Sequence, residues 1–435
     1  MKKGIIATAI FGFLASLGAQ TSTDTVTMGA GYANQIFFNL QDGKQQNSPI
    51  ANWHIAHTTL AMDNAIRLNH AAGVFAYIYP NGDNTAYNSF DTTGWSTWHM
   101  PYNDMKDETK GALNQQTDPN NQWDFSWGVY DASSHEVVGD SLYLITVGMG
   151  AEMKLYKFMP IKQDKMGNFI FEFGPLDDVA GEPDTIKTSM AYGGMFKYFN
   201  LTKDMQVSIE PQNESWHLNF NRYYDLVQNP RGPGMVMYPT TGAESFRGLE
   251  IAYVDGIEFS ELVSNPNDYI SIANEDTSIA SGHGFNTGLT RVGGDWKAFD
   301  GRGFSVVPQK NYIAKIETPT GYEYWGLHFL SFEGQSTGAM SLERAKLGEL
   351  ASVNNAKLTT VGLFPNPASN MVWVSVNNGS LEIVNVLSTS GQKVASHDNL
   401  QTNRFQLPIE KLTSGQYIIE TIHSNGISRN WIIKN

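Results

Sequence analysis

At 435 residues the chain is long enough for about three domains of ordinary size. Its 29 basic and 43 acidic residues leave a net charge of −14, which argues against nucleic acid or an anionic lipid surface as the main partner. It has no cysteine, which excludes a disulfide framework, a thiolate metal site, a cysteine nucleophile and a lipid-anchored N-terminal cysteine; any metal has to be held by His, Met, Tyr or carboxylate.

The N-terminal residues, 1–19, read as a signal peptide. Lys2 and Lys3 form a positive start, Gly4 to Leu17 is a short apolar run, and Gly18-Ala19 offers small residues before Gln20. The run is shorter than the ~20 residues that span a bilayer, so the expectation is export with a mature start at Gln20. Beyond it, aromatics are plentiful and Gly, Asn, Asp and Ser punctuate the chain, the texture of short strands joined by turns and of an all-β class.

The middle of the chain contains an internal repeat. Tyr32, Phe37-Phe38-Asn39-Leu40 and Trp53-His54-Ile55 recur as Tyr192, Tyr198-Phe199-Asn200-Leu201 and Trp216-His217-Leu218. Trp127 to Ile145 aligns without a gap onto Trp296 to Ala314, pairing Asp131 with Asp300, Val137-Val138 with Val306-Val307 and Tyr143 with Tyr312. Each copy then ends in a hairpin and a last strand. A repeat this long is a duplicated domain, because each unit can bury its own core. The expected division is a first β domain over 20–178, a linker over 179–191 holding Gly, Pro and Asp without apolar period, and a second β domain over 192–347.

After an expected second linker at 348–360, the segment 361–435 has β-patterned runs at Met371 to Val376, Leu381 to Leu387, Phe405 to Leu407, Gln416 to His423 and Trp431 to Lys434. It opens on Leu363-Phe364-Pro365-Asn366-Pro367-Ala368, whose prolines fix an extended entry and a turn, and Leu412-Thr413-Ser414-Gly415-Gln416-Tyr417 turns into the penultimate strand. This set of residues resembles the type A C-terminal sorting domain of the type IX secretion system. The resemblance implies an immunoglobulin-like β-sandwich, engagement of the type IX secretion machinery, passage through the outer membrane, and then removal of the domain with release or surface attachment.

The two copies carry a second resemblance. Phe-Asn-Leu, the Trp53-His54-Ile55 strand, the Ile66-Arg67-Leu68-Asn69 strand, and a Tyr-containing hairpin followed by Phe169-Ile170-Phe171-Glu172-Phe173 are similar in order and spacing to the HmuY-like family of secreted haem-binding proteins. Known members are usually single-domain and often lipid-anchored, whereas this chain is duplicated and lacks cysteine. The resemblance implies all-β domains that capture haem between two axial side chains, from free haem or a haem-carrying host protein, with an outer-membrane haem receptor downstream. His99, in Trp95-Ser96-Thr97-Trp98-His99-Met100, and His135, just before Val137-Val138, are the best-placed axial pair; Met100, Met105 and His70 are the alternatives. Arg67 suits either a propionate contact or a structural role. In the second copy Phe304 stands where the first has His135, and the stretch before it has only His283, so its haem site is expected to be altered or lost. His54 and His57, three apart on one strand, point to opposite faces and make no chelating pair.

No Gly-x-Ser-x-Gly elbow, His-Glu-x-x-His helix, phosphate-binding glycine loop or useful carboxylate pair is present, so the reading is a non-enzymatic protein. The alternative to haem capture is a surface adhesin or glycan-binding protein that uses exposed Trp and Tyr.

Overall fold

The structure is a computed structural model. It describes residues 21–435 apart from 61–62, 188–193, 212–214, 230–231, 277–282, 352–360, 377–379, 390 and 425. The expected signal peptide and positions 352–360 of the expected second linker lie outside the described residues.

Strands dominate, as the composition predicts. The first repeat contributes β1 (Thr21–Thr27), β2 (Asn34–Phe38), β3 (Gln45–Pro49), β4 (Ile55–Thr58), β5 (Ile66–Leu68), β6 (Phe75–Ile78), β7 (Gly128–Asp131), β8 (Glu136–Gly139), β9 (Tyr143–Val147), β10 (Lys154–Gln163) and β11 (Phe169–Gly174). The stretch expected as a linker contributes β12 (Asp184–Ile186), and the second repeat β13 (Phe196–Asn200), β14 (Met205–Val207), β15 (Leu218–Gln228), β16 (Met235–Ser245), β17 (Glu250–Asp255), β18 (Lys297–Phe299), β19 (Phe304–Val306), β20 (Lys310–Thr318), β21 (Gly321–Phe332) and β22 (Ala339–Ala351), the last running on past 347. Trp127 and Trp296 occupy equivalent places, fully buried immediately before the β7–β8 and β18–β19 hairpins. Two short helices, α1 (Phe259–Ser264) and α2 (Pro266–Glu275), depart from the all-β pattern between β17 and β18; Phe259, Leu262, Ile270 and Ala273 give them a buried face, and Pro266 suits the first turn of α2.

Strand pairing crosses the expected domain boundary. β1 pairs with β22 and β2 with β15, while β13 pairs with β4 and β12 with β11. The expected linker at 179–191 thus contains a strand, β12, because Ile186 is fully buried opposite Phe169. The outcome is two packed modules, neither of which is the segment 20–178 or 192–347. One is the continuous stretch 53–210, whose core joins Ile55, Trp127, Phe158 and Phe171 to Phe199 and Leu201. The other combines 21–50 with 216–349, its core joining Val26, Ile36 and Phe38 to Phe220, Trp296 and Leu342.

The recurring Asn-Leu and Trp-His motifs are the fastening between them. Leu40 N–H donates to His217 Nδ1 at 3.1 Å and Asn39 Nδ2 to the Ser215 carbonyl at 3.2 Å. In mirror fashion Leu201 N–H donates to His54 Nδ1 at 2.9 Å and Asn200 Nδ2 to the Asn52 carbonyl at 2.8 Å. Each Asn oxygen also accepts from the next turn's amides, Gln41 and Asp42 or Thr202 and Lys203.

The C-terminal region falls in a separate compact unit. Its strands β23 (Val361–Phe364), β24 (Met371–Val376), β25 (Leu381–Ser388), β26 (Lys393–His397), β27 (Arg404–Pro408), β28 (Gly415–His423) and β29 (Gly426–Lys434) form a β23-β24-β27 sheet and a β26-β25-β28-β29 sheet. Alternation on β24 sends Val372, Val374 and Val376 into a core shared with Val384, Val386, Ile419 and Ile432, the sandwich the pattern predicts.

Candidate functional site

The strand exchange creates two equivalent four-stranded sheets, β14-β13-β4-β5 and β16-β15-β2-β3. The period-2 alternation of each strand sends one set of side chains into its own module core and the other set toward the seam. On β15, Leu218 and Phe220 enter the core while Asn219, Asn221 and Tyr223 face the seam; on β5, Ile66 and Leu68 enter the core and Arg67 faces it. Both sheets feed one aromatic cluster there, with Trp53 edge-on to Tyr198 and Trp216 edge-on to Phe37, each at 5.0 Å between ring centres.

Between these groups lies a cavity of about 60 Å³. Arg67, Glu244 and Glu210, three of its charged residues, are engaged by the protein. Arg67 donates to the Asp104 carbonyl at 2.9 Å, to the carbonyls of Asp107, Glu108 and Lys110, and to the Met105 sulfur at 3.3 Å. Burial pulls the guanidinium below its ordinary range, an effect the Glu244 and Asp104 charges oppose. Glu244 accepts from Asn219 at 3.1 Å and Asn221 at 3.0 Å, and burial raises its pKa. Glu210 accepts from the Met195 and Phe196 amides and from the Tyr198 hydroxyl, yet burial pushes it up to about 7.

Four atoms of uncharged side chains lining the cavity are not engaged. Gln35 Nε2, Trp216 Nε1, Asn219 Oδ1 and Tyr223 OH have no hydrogen-bond partner among the described residues, and their residues are 2%, 3%, 7% and 4% exposed. An unpaired buried donor or acceptor costs roughly 1–3 kcal/mol, so four together rival the roughly 5–15 kcal/mol by which a whole domain is stable. Water or a ligand in the cavity would relieve that cost.

The residues expected to hold haem do not line the seam cavity, His70 excepted. His135 lies exposed, at φ +58°, in the β7–β8 turn, where Nδ1 and Tyr130 OH are 2.9 Å apart. His99 is exposed on another loop, tied by its carbonyl to Ile78 N–H. Among the described residues no hydrogen bond or ring contact joins the two, and neither lines the seam cavity. His70 is buried with both ring nitrogens occupied, Nδ1 donating to the Val74 carbonyl at 2.8 Å and Nε2 accepting from Asn103 N–H at 3.3 Å. The Met105 sulfur is buried under Arg67, and Met100 is half-buried next to His99. A macrocycle also needs a cleft of the 300–1,000 Å³ class, far beyond the seam cavity. Phe304, the counterpart of His135, opens β19 and packs on Phe299. Arg67, the candidate propionate partner, is spent on backbone carbonyls. His57 is likewise structural, bonded to Gln163 at 2.9 Å and stacked on Phe169.

The seam residues escape a sequence reading because Leu-Asn-Phe-Asn-Arg-Tyr on β15 has the alternation of a strand with one wet face. The one available signal is that the Trp-His motif preceding it is repeated.

Fold and site together describe an exported, mostly β protein with a two-module body and a terminal sandwich. Residues 362–435 match the family described as the secretion system C-terminal sorting domain. The chain therefore carries the signal for type IX export through the outer membrane, to the cell surface or beyond it. No match to the haem-binding family accompanies it, and no curated protein or solved structure matches the chain.

Proposed function

We propose that this is an exported binding protein, not an enzyme, which its sorting domain delivers outside the cell and whose body takes a ligand at the seam between the two modules. The observation that carries the reading is the set of four buried polar atoms left without partners in one cavity. The non-catalytic part rests on the engagement of Arg67, Glu210, Glu244 and His70, four of the ionisable side chains lining the cavity, by backbone or neutral groups. The test is binding by the full chain: native mass spectrometry and thermal unfolding with a panel of small solutes, haemin and glycans. A protein whose unfolding and mass respond to none of them counts against the reading.

A glycan-binding surface is the second reading, favoured by Trp123, which is 48% exposed and lies 5.2 Å from the Tyr130 ring. Sugar rings stack on such exposed aromatic faces, and a glycan array with Trp123→Ala as control tests it. Capture of haem, directly or from a host carrier and for an outer-membrane receptor, is the reading the family resemblance supports. Recognition by the secretion machinery belongs to the sorting domain, and mass spectrometry of released protein tests its removal near residue 361.

A further inference from the structure

Building on the reading of the seam as a ligand site, we infer that its ligand is a small, neutral, polar molecule of the polyol or amide class, gripped by Gln35, Trp216, Asn219 and Tyr223. Three observations set the class. The first is charge. The buried ionic groups Arg67, Glu210 and Glu244 are each hydrogen-bonded by the protein itself, Arg222 lies at the part-exposed edge, and the four atoms left over belong to uncharged side chains. Deep in the cavity an anion would meet Glu210 and Glu244 with only the already engaged Arg67 beside it, Arg222 lying at the part-exposed edge, and a cation would find both carboxylates spent on internal donors; either costs more to bury than a neutral ligand.

The second is the pattern of donors and acceptors. Trp216 Nε1–H and Gln35 Nε2–H can only donate, Asn219 Oδ1 can only accept, and Tyr223 OH can do either. A matching molecule offers at least one oxygen to the two donors and one O–H or N–H to Asn219, which an amide or a vicinal diol does and a hydrocarbon or ether does not. Exchanging the oxygen and nitrogen of Gln35 or Asn219 alters which side chain gives and which takes but still leaves a mixed set.

The third is size. One water needs roughly 10–15 Å³ of cavity, so about 60 Å³ accommodates about four to six non-hydrogen atoms. Ala71, Asn103, Arg222 and Tyr224 line the cavity and keep part of their surface exposed, which marks the side from which a ligand enters. The four gripping groups come from β2, β15 and the residue pair preceding β15, so the site exists only where the first repeat's strand has joined the second's.

Trp216 supplies the readout. In the full chain with its tryptophans labelled with nitrogen-15, the indole N–H signal assigned by Trp216→Phe is followed as acetamide, and separately glycerol, is added. A saturable shift of that signal with at least one probe is expected, together with about a tenfold weaker affinity in Tyr223→Phe, the effect of losing one hydrogen bond of about 1.4 kcal/mol. Acetate and methylammonium are expected to leave the signal in place. Tyr223→Phe deletes only an unpartnered hydroxyl, so it folds, and in a cavity that binds nothing it changes nothing else. An unmoved Trp216 signal with both neutral probes, or equal affinity in wild type and Tyr223→Phe, overturns the inference. If the signal is unmoved while haemin or a glycan still binds, only the ligand class and site fail; if nothing binds, the binding-protein reading fails as well.

Discussion

His54 holds the backbone N–H of Leu201 on its Nδ1 at 2.9 Å, and His217 repeats the contact on Leu40 at 3.1 Å, so each repeat closes a latch on a turn of the other. Because Nδ1 accepts, each ring is neutral with its proton on Nε2. Replacing His54 by Ala strands a buried amide and opens a ring-sized void, for an expected loss of about 2–4 kcal/mol. His217→Ala should behave alike, and the double variant should lose less than the sum, since opening one latch relaxes the other. Urea unfolding measures all three; a single-variant loss below about 0.5 kcal/mol, the size of an ordinary surface change, would mean that the contact holds nothing.

Burial pushes His54, His57, His70 and His217 each down to about 4. With an unfolded value near 6.5, their contribution is complete above about pH 6.5 and drains away as the pH falls toward 4. Glu210 has the opposite sign: raised by burial to about 7, its contribution is complete below the unfolded value and is lost as the pH rises through 7. Four histidines outweigh one glutamate, so the urea midpoint of the body should drop steeply between pH 6.5 and 4.5. A flat profile over that window would contradict the buried neutral rings.

The exchange of strands predicts which fragment folds. Residues 53–210 contain β4 to β14 and the whole of one core, including Phe199 and Leu201. They should therefore give a cooperative melt when expressed alone. Residues 20–178 keep β1 to β3, whose apolar side chains belong to the other module, and lose the β13 partner of β4. That fragment should be unfolded or should associate. Circular dichroism with thermal melts decides it, and a well-folded monomeric 20–178 would show that the pairing can be rearranged within one repeat.

How much of this could be read from the residues follows the same logic. The duplication is visible because Trp127 and Trp296, or Asn39 and Asn200, do the same job twice and so remain the same residue. The pairing of β2 with β15 is not visible, because in a duplicated chain the Phe-Asn-Leu strand of one copy fits the Trp-His strand of either, and only packing in three dimensions chooses. The sorting sandwich is legible since its runs are short, apolar and bounded by turns. The seam is not: Asn219, Asn221 and Glu244 look like solvated positions, and nothing local says that a second sheet covers them. The spacing of the expected axial ligands is hidden for a related reason, since a histidine beside aromatics in sequence, such as His99, need not face them in space.

Arg344 should be a second point of weakness. It is 8% exposed and donates to Asp24 at 2.8 Å and to the carbonyls of Leu40 and Gln41 at 3.1 Å, joining β22 to β1 and to the latched turn. Arg344→Met leaves a partly buried carboxylate and two carbonyls unpaired, for an expected loss of about 3–5 kcal/mol. Arg344→Lys should recover little, because a point charge cannot serve three acceptors spread along a fork. Amide exchange in β1 should rise in both variants; protection equal to wild type would show that the backbone ladder to β22 suffices.

Haemin offers the sharpest check on the site. Axial ligation needs two donor atoms facing one apolar cleft. Here the exposed imidazoles, His99 and His135, sit on separate loops, His135 already paired with Tyr130, while the buried candidates are occupied, His70 through both nitrogens and Met105 by Arg67. Freeing His70 would break its bonds to Val74 and Asn103 and unstack Phe75 at 5.1 Å, a cost that coordination has to exceed before any binding appears. The full chain should therefore show no saturable Soret band on haemin titration at neutral pH, and His99→Ala and His135→Ala should match wild type. A saturable band removed by either substitution would establish that the two loops close on haem, and the seam would then lose its place as the body's ligand site.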